Sequence, residues 1–217
     1  MRTSARERAV VLRLRWILVW AVMGIGCGVL SCASGPAPRD HFYRFHVDRD
    51  TASAGACRLP GTLRVERFES DALTSGRPVV YQQDANSPEL GRYAFQLWAG
   101  PPSELLNQEF VAYLAGRKVA SEVLGPGARV PADYIVRGRV LKLHHTLAPV
   151  ATAVLELQLT LVDQKNRKVL VNETYSATQP AEDVGAAADA FGQEAQGIFA
   201  RFVADCAQRL GGGAAGE

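Results

Sequence analysis

The sequence predicts an α+β fold: a single domain with a mixed or largely antiparallel sheet covered by two amphipathic helices. Three patterns carry this prediction. From Val150 to Val162, Ala153, Leu155, Leu157, Leu159 and Leu161 alternate with Thr152, Glu156, Gln158 and Thr160, the period of a strand with one buried face. Asp183 to Leu210 places Val184, Ala188, Phe191, Ala195, Ile198, Phe202, Cys206 and Leu210 at helical spacing. Leu106, Phe110 and Leu114 repeat that spacing between Ser103 and Val119. A long strand with one apolar face needs a cover, and helices of this kind supply it.

Taken in chain order, the first segment is not part of that domain. Arg2, Arg6, Arg8, Arg13 and Arg15 precede an apolar stretch from Trp16 to about Val29. The stretch is shorter than the ~20 residues a spanning helix needs and has the layout of a secretory signal. It closes on Val29-Leu30-Ser31-Cys32, a branched apolar residue, an apolar residue, a small residue and cysteine, similar to the bacterial lipobox. Residues 1–31 are therefore expected to be a lipoprotein signal peptide, with Cys32 the acylated mature N-terminus. The other reading is an ordinary signal or uncleaved anchor with Cys32 incidental. Cys27 fits less well, because Gly24 stands where a branched residue is wanted. Several acyl chains on one cysteine hold a protein at a bilayer almost irreversibly.

Residues 32–40 read as a flexible tether rich in Pro and Gly. The domain is expected over 41–210. His41 to Val47 alternates and is aromatic, suiting a first strand. Asp48 to Pro60 is a polar loop. Thr62–Phe68, Pro78–Gln83 and Gly91–Trp98 read as strands, the last two joined by a polar turn. Pro101-Pro102-Ser103 opens a helix, with Ser103 as its cap. Gly125-Pro126-Gly127 breaks the chain. Asp133–Leu147, Val150–Val162 and Lys168–Ala177 are three long strands, with Asp163–Arg167 as a hairpin loop. In the last helix Glu182 or Asp183 sits at the positive end of the dipole and Arg209 at the negative end, while Gly192 and Gly197 weaken it by up to about 1 kcal/mol each. Residues 211–217 are expected to be a frayed tail.

Charge excludes one class of function. The full chain has 24 Lys+Arg and 22 Asp+Glu, but residues 1–31 hold five of the arginines and one glutamate, leaving 19 against 21. No basic run remains to mark a nucleic-acid footprint. Cys57 and Cys206 are either a disulfide tying the N-terminal part to the last helix or two separately buried thiols.

Catalytic chemistry finds little support. His144 and His145 are adjacent on a strand, point to opposite faces and cannot share one ion, so His41, His46, His144 and His145 read as surface or edge-strand residues and no metal site is expected. No G-x-S-x-G elbow or phosphate loop is present outside the signal. The pairs Asp48/Asp50 and Glu66/Glu69 have no matching partner in the sequence. No catalytic residue and no cofactor are expected. The unusual stretch runs from Tyr81 to Phe110: Tyr81, Tyr93, Phe95, Trp98 and the Trp98-Ala99-Gly100-Pro101-Pro102 corner. Each aromatic taken singly reads as core. As a group, Tyr81, Tyr93, Trp98, Pro101 and Pro102 are candidate contacts for a partner or a lipid tail.

Val80-Tyr81-Gln82, Leu90-Gly91-Arg92-Tyr93 and Leu97-Trp98-Ala99-Gly100-Pro101-Pro102-Ser103-Glu104-Leu105-Leu106 resemble the ABC-type transport auxiliary lipoproteins, which include the lipoprotein component of the paraquat-inducible Pqi system. Phe42-Tyr43-Arg44-Phe45, Ala132-Asp133-Tyr134-Ile135-Val136 and Ala153-Val154-Leu155-Glu156-Leu157 agree with it, and Gln82 departs from it. The resemblance implies a non-enzymatic lipoprotein that works with an MCE-domain protein and an ABC permease/ATPase in lipid transport between membranes. The neutral Ala33 after Cys32 resembles outer-membrane lipoproteins, so the domain is expected to dock the assembly there, facing the periplasm, with a homo-oligomeric ring as one arrangement. The alternative is a structural envelope lipoprotein that organises another assembly or the cell wall.

Overall fold

A computed structural model describes residues 37–48 and 57–212, and all its elements lie in one unit, Arg39–Glu217. The signal, Cys32 and the tail after Gly212 fall outside the described residues, as does most of the tether.

The three long strands are the frame. β7 (Tyr134–Thr146), β8 (Thr152–Asp163) and β9 (Lys168–Pro180) form an antiparallel meander. Along β8 every odd residue from Ala153 to Asp163 is buried, so the alternation in the sequence is the alternation of its faces. The β8–β9 turn is fixed by Asp163, whose Oδ1 accepts the Asn166 N–H at 2.9 Å and whose Oδ2 accepts the Asn166 side-chain amide at 2.8 Å.

The sheet is mixed because β7 has two edges and its partners differ. β8 pairs along one edge from Tyr134 to Thr146. The opposite edge is shared in succession by three short parallel strands: β2 (Leu59–Val65), β3 (Glu69–Ser70) and β4 (Pro78–Gln82). β2 carries β6 (Ala120–Leu124) on its outer side. β4 carries the antiparallel β5 (Leu90–Trp98), and β5 carries β1 (His41–Tyr43), which is parallel to it.

Helix α1 (Pro102–Gly116) joins β5 to β6, and α2 (Val184–Gly212) packs on β8 and β9. The core lies between the helices and one face of the sheet. Two aromatic groups fill it. Phe45, Trp98 and Phe191 meet with ring centroids 4.5 and 5.8 Å from Trp98, while Phe110 lies 4.7 Å from Phe199, 5.4 Å from Phe202 and 5.6 Å from Phe68. Gly192 has a packing reason: a methyl group there would overlap the His46 carbonyl, so glycine lets the chain after β1 cross α2 at backbone contact. Gly138 likewise leaves room for the Phe68 ring. The disulfide alternative is the one present. Cys57 and Cys206 are bonded, with Cα atoms 5.6 Å apart and a sequence separation of 149.

Several boundaries differ from expectation. α1 stops at Gly116 rather than Val119, because Lys118 takes φ 52° and turns the chain into β6, a strand the sequence reading missed. β1 ends at Tyr43, since Phe45 and Val47 leave the sheet edge to bury in the core. The strand expected over 62–68 is β2, shifted towards Leu59, followed by the separate β3. Ser103 does not cap α1; it is buried, and the free amides of Glu104 and Leu105 are served instead by the Pro101 carbonyl at 3.0 and 3.1 Å. At α2, Asp183 Oδ1 accepts the Ala186 N–H at 2.8 Å, which fits its expected place at the positive end.

Candidate functional site

The Trp-Pro corner divides into a buried half and a half-exposed half. Trp98 is 2% exposed, sandwiched between Phe45 and Phe191. Its backbone is held as firmly: the Trp98 N–H donates to the Arg77 carbonyl at 2.7 Å, the Arg77 Nε donates to the Trp98 carbonyl at 3.1 Å, and the Ala99 N–H donates to the Tyr43 carbonyl at 2.8 Å. Pro102, the first residue of α1, is buried, and Pro101 is half-buried. The expectation that Trp98 and Pro102 offer a surface is thus corrected. The Trp98 ring is already enclosed by Phe45 and by Phe191 of α2.

Tyr81 and Tyr93 belong to a different group. They lie on β4 and β5 with ring centroids 4.8 Å apart, and the Tyr81 ring lies over Gly91, which a side chain would displace. The third member is His145 on β7, paired in register with Tyr81. It is 1% exposed, and its ring lies 6.4 Å from Tyr93. His145 Nε2 is 2.9 Å from the Ala181 carbonyl, which can only accept, so Nε2 carries the proton. Nδ1, 3.2 Å from the Tyr93 hydroxyl, is then the acceptor and Tyr93 the donor. Burial, helped by the nearness of Tyr81, pushes the Tyr93 hydroxyl above the usual phenol range and keeps that proton in place. Both ring nitrogens are occupied. The triad ties β5, β7 and the entry to α2 together. It has no free base to offer chemistry.

The surface reading of the β7 histidines is also corrected. His144 is 8% exposed and sits on the face opposite His145. Burial first, then the neighbouring Lys142 charge, lowers its pKa below the ordinary imidazole value. His145 faces the core because of the bulge of β7 between Val140 and Lys142, which shifts the phase so that Leu141 is 37% exposed and Leu143 and His145 point inward. Sequence periodicity does not reveal a one-residue bulge. Nor does it flag Asn107, buried in α1 with its amide donating to the Glu66 carbonyl at 2.7 Å, or Glu194, buried on α2.

The sheet face away from the helices is polar where the long strands run. Arg137 pairs with Glu66 at 3.0 Å, Arg139 with Glu69 at 2.7 Å and Lys142 with Glu156 at 2.9 Å, so Glu66 and Glu69, unmatched in sequence, find cross-strand partners. A cleft of about 480 Å³ lined by Glu66, Arg67, Glu69, Arg137, Arg139 and Gln158 opens among them. Such exposed pairs are worth about 0–1 kcal/mol each, so they dress the surface more than they hold the fold. Among the described residues, no three His, Cys, Asp or Glu side chains converge as metal ligands, and no helix is long and apolar enough to cross a membrane.

The sequence and the fold match known proteins. The chain belongs to the ABC-type transport auxiliary lipoprotein component family, whose model matches residues 48–204. A protein of Xanthomonas campestris, XCC0632 of the DUF330 family, superposes with a TM-score of 0.69 at 18% identity, over 80% of this chain and 98% of that one. A second solved structure, of an uncharacterized protein, gives 0.56 at 16% identity over 80% of this chain and 99% of that one. At these identities the likeness is one of fold. No curated protein matches the sequence.

Proposed function

We propose that this protein is a non-enzymatic, lipid-anchored accessory component of an ABC/MCE-type intermembrane lipid transport system, held at the outer membrane and facing the periplasm. Residues 1–31 are its signal peptide, Cys32 its acylated N-terminus and residues 32–40 its tether. The observation that carries the reading is membership of the auxiliary lipoprotein family over residues 48–204, together with the lipobox-like run ending at Cys32. The described domain agrees with a docking role. The buried His145 and its partner Tyr93 are spent on structure, and the outer sheet face is a ready polar surface. The MCE-domain protein and the ABC permease/ATPase are its partners on this reading, with self-association into a ring as one way to present the domain to them.

Two measurements test it. Mild-detergent pulldown of the intact lipoprotein should recover MCE and ABC components, and their absence from the eluate would remove the transport role. Cys32→Ser should release the protein from membranes or leave it as unprocessed precursor. Unchanged size and partitioning would remove the lipid anchor.

A further inference from the structure

One part of the outer sheet face is apolar. At the β1 edge, Phe42 is 57% and Phe95 42% exposed. Phe42 pairs in register with Leu97, and Phe95 lies two residues before it, so the three share a face. That face is turned from the helices, because the next pair along, Tyr43 and Trp98, points into the core. Along the long strands this side carries ion pairs, so two exposed phenylalanines on one face stand out against it.

Arginines flank this edge, and the Asp183 charge is felt at the neighbouring Tyr43. The Arg77 guanidinium lies 5.2 Å from the Phe42 ring centroid, and the exposed Arg39 and Arg44 flank the strand, with Asp40 the one acid between residues 37 and 47. The chain also limits where this edge can go. Ten residues separate Cys32 from Phe42, which fully extended is at most about 35 Å.

We infer that Phe42 and Phe95, framed by Arg39, Arg44 and Arg77, rest on the anionic surface of the bilayer that holds Cys32. The inference rests on the lipid-anchor reading above and adds to it an orientation. Aromatic rings settle at the acyl–headgroup boundary, and arginines are drawn to anionic lipid. A tether this short keeps the patch at an effective concentration of order millimolar to the surface, so a contact too weak to bind from solution is still made. The β1 edge then faces the membrane, and the β7–β8–β9 face is left for partners.

The test uses the intact lipoprotein reconstituted in phosphatidylethanolamine/phosphatidylglycerol vesicles whose acyl chains carry bromine. Trp98 is the one tryptophan after residue 31 and is buried, so it supplies a low background. The indole introduced by Phe42→Trp should be quenched well beyond that background. Arg39→Glu with Arg44→Glu should cut that quenching severalfold while the protein stays on the vesicles. An acylated, vesicle-bound protein whose new indole escapes quenching overturns this inference and leaves the anchor standing. A mature form without acyl chains by mass spectrometry overturns both. A concentration-dependent blue shift without vesicles gives the patch to a second copy, and overturns it too.

Discussion

Glu194 offers a sharp check on the packing of α2. Its side chain is 1% exposed on the buried face of the helix, neither carboxyl oxygen has a well-formed hydrogen bond among the described residues, and burial, only partly offset by the nearby Gln179 backbone N–H, pushes its pKa from 4.5 up to about 8. Between those two values the folded chain holds a proton that the unfolded chain has released. Stability must therefore fall as pH rises through this window, by about 1.4 kcal/mol per pH unit. Over the whole window the ceiling is about 5 kcal/mol, a large share of the stability of an ordinary domain. Glu194→Gln keeps the shape of the neutral acid and removes the titration. The variant should match the parent near pH 5 and exceed it by a few kcal/mol at pH 8. Urea unfolding at pH 5, 6, 7 and 8, followed by Trp98 emission, measures both curves. Taking the difference between the proteins cancels other groups. His144, whose pKa is lowered, pushes stability the opposite way below its ordinary value, and Asp71, Glu156 and Asp163, also lowered, lose their contributions only under more acidic conditions. Parallel profiles for parent and variant would refute the claim that this carboxyl is desolvated.

Trp98→Ala should cost about 3–5 kcal/mol in denaturant unfolding, because its ring is enclosed by Phe45 and Phe191; a near-neutral result would return it to the surface. Replacing both Cys57 and Cys206 by serine frees a loop of 149 residues and should lower stability by up to about 5 kcal/mol on the chain-entropy account. Identical melting with and without reductant would show that the pair contributes nothing. Tyr93→Phe leaves His145 Nδ1 without its donor and should cost about 1–3 kcal/mol, with the His145 ring NMR signals shifting. Unchanged signals would break the proposed tautomer.

What the sequence determined by itself was the periodic part of the molecule. The alternation of β8 and the three-to-four spacing of α2 are local properties, since each residue's face follows from its position in one element. The family was legible as well, because the Tyr81, Tyr93 and Trp98-to-Pro102 motifs keep their order whatever they touch. Only the tertiary structure decided which of those motifs is surface. Trp98 is buried because β1 and α2 close over it, a contact between segments about 50 and 90 residues away. The same holds for His145, turned inward by a bulge that leaves no mark on composition, and for Phe42 and Phe95, two aromatics 53 positions apart that share a face only because β1 pairs with β5. Local periodicity fixes which side of an element is apolar; which neighbour covers that side, or whether water does, depends on chain segments that periodicity does not relate.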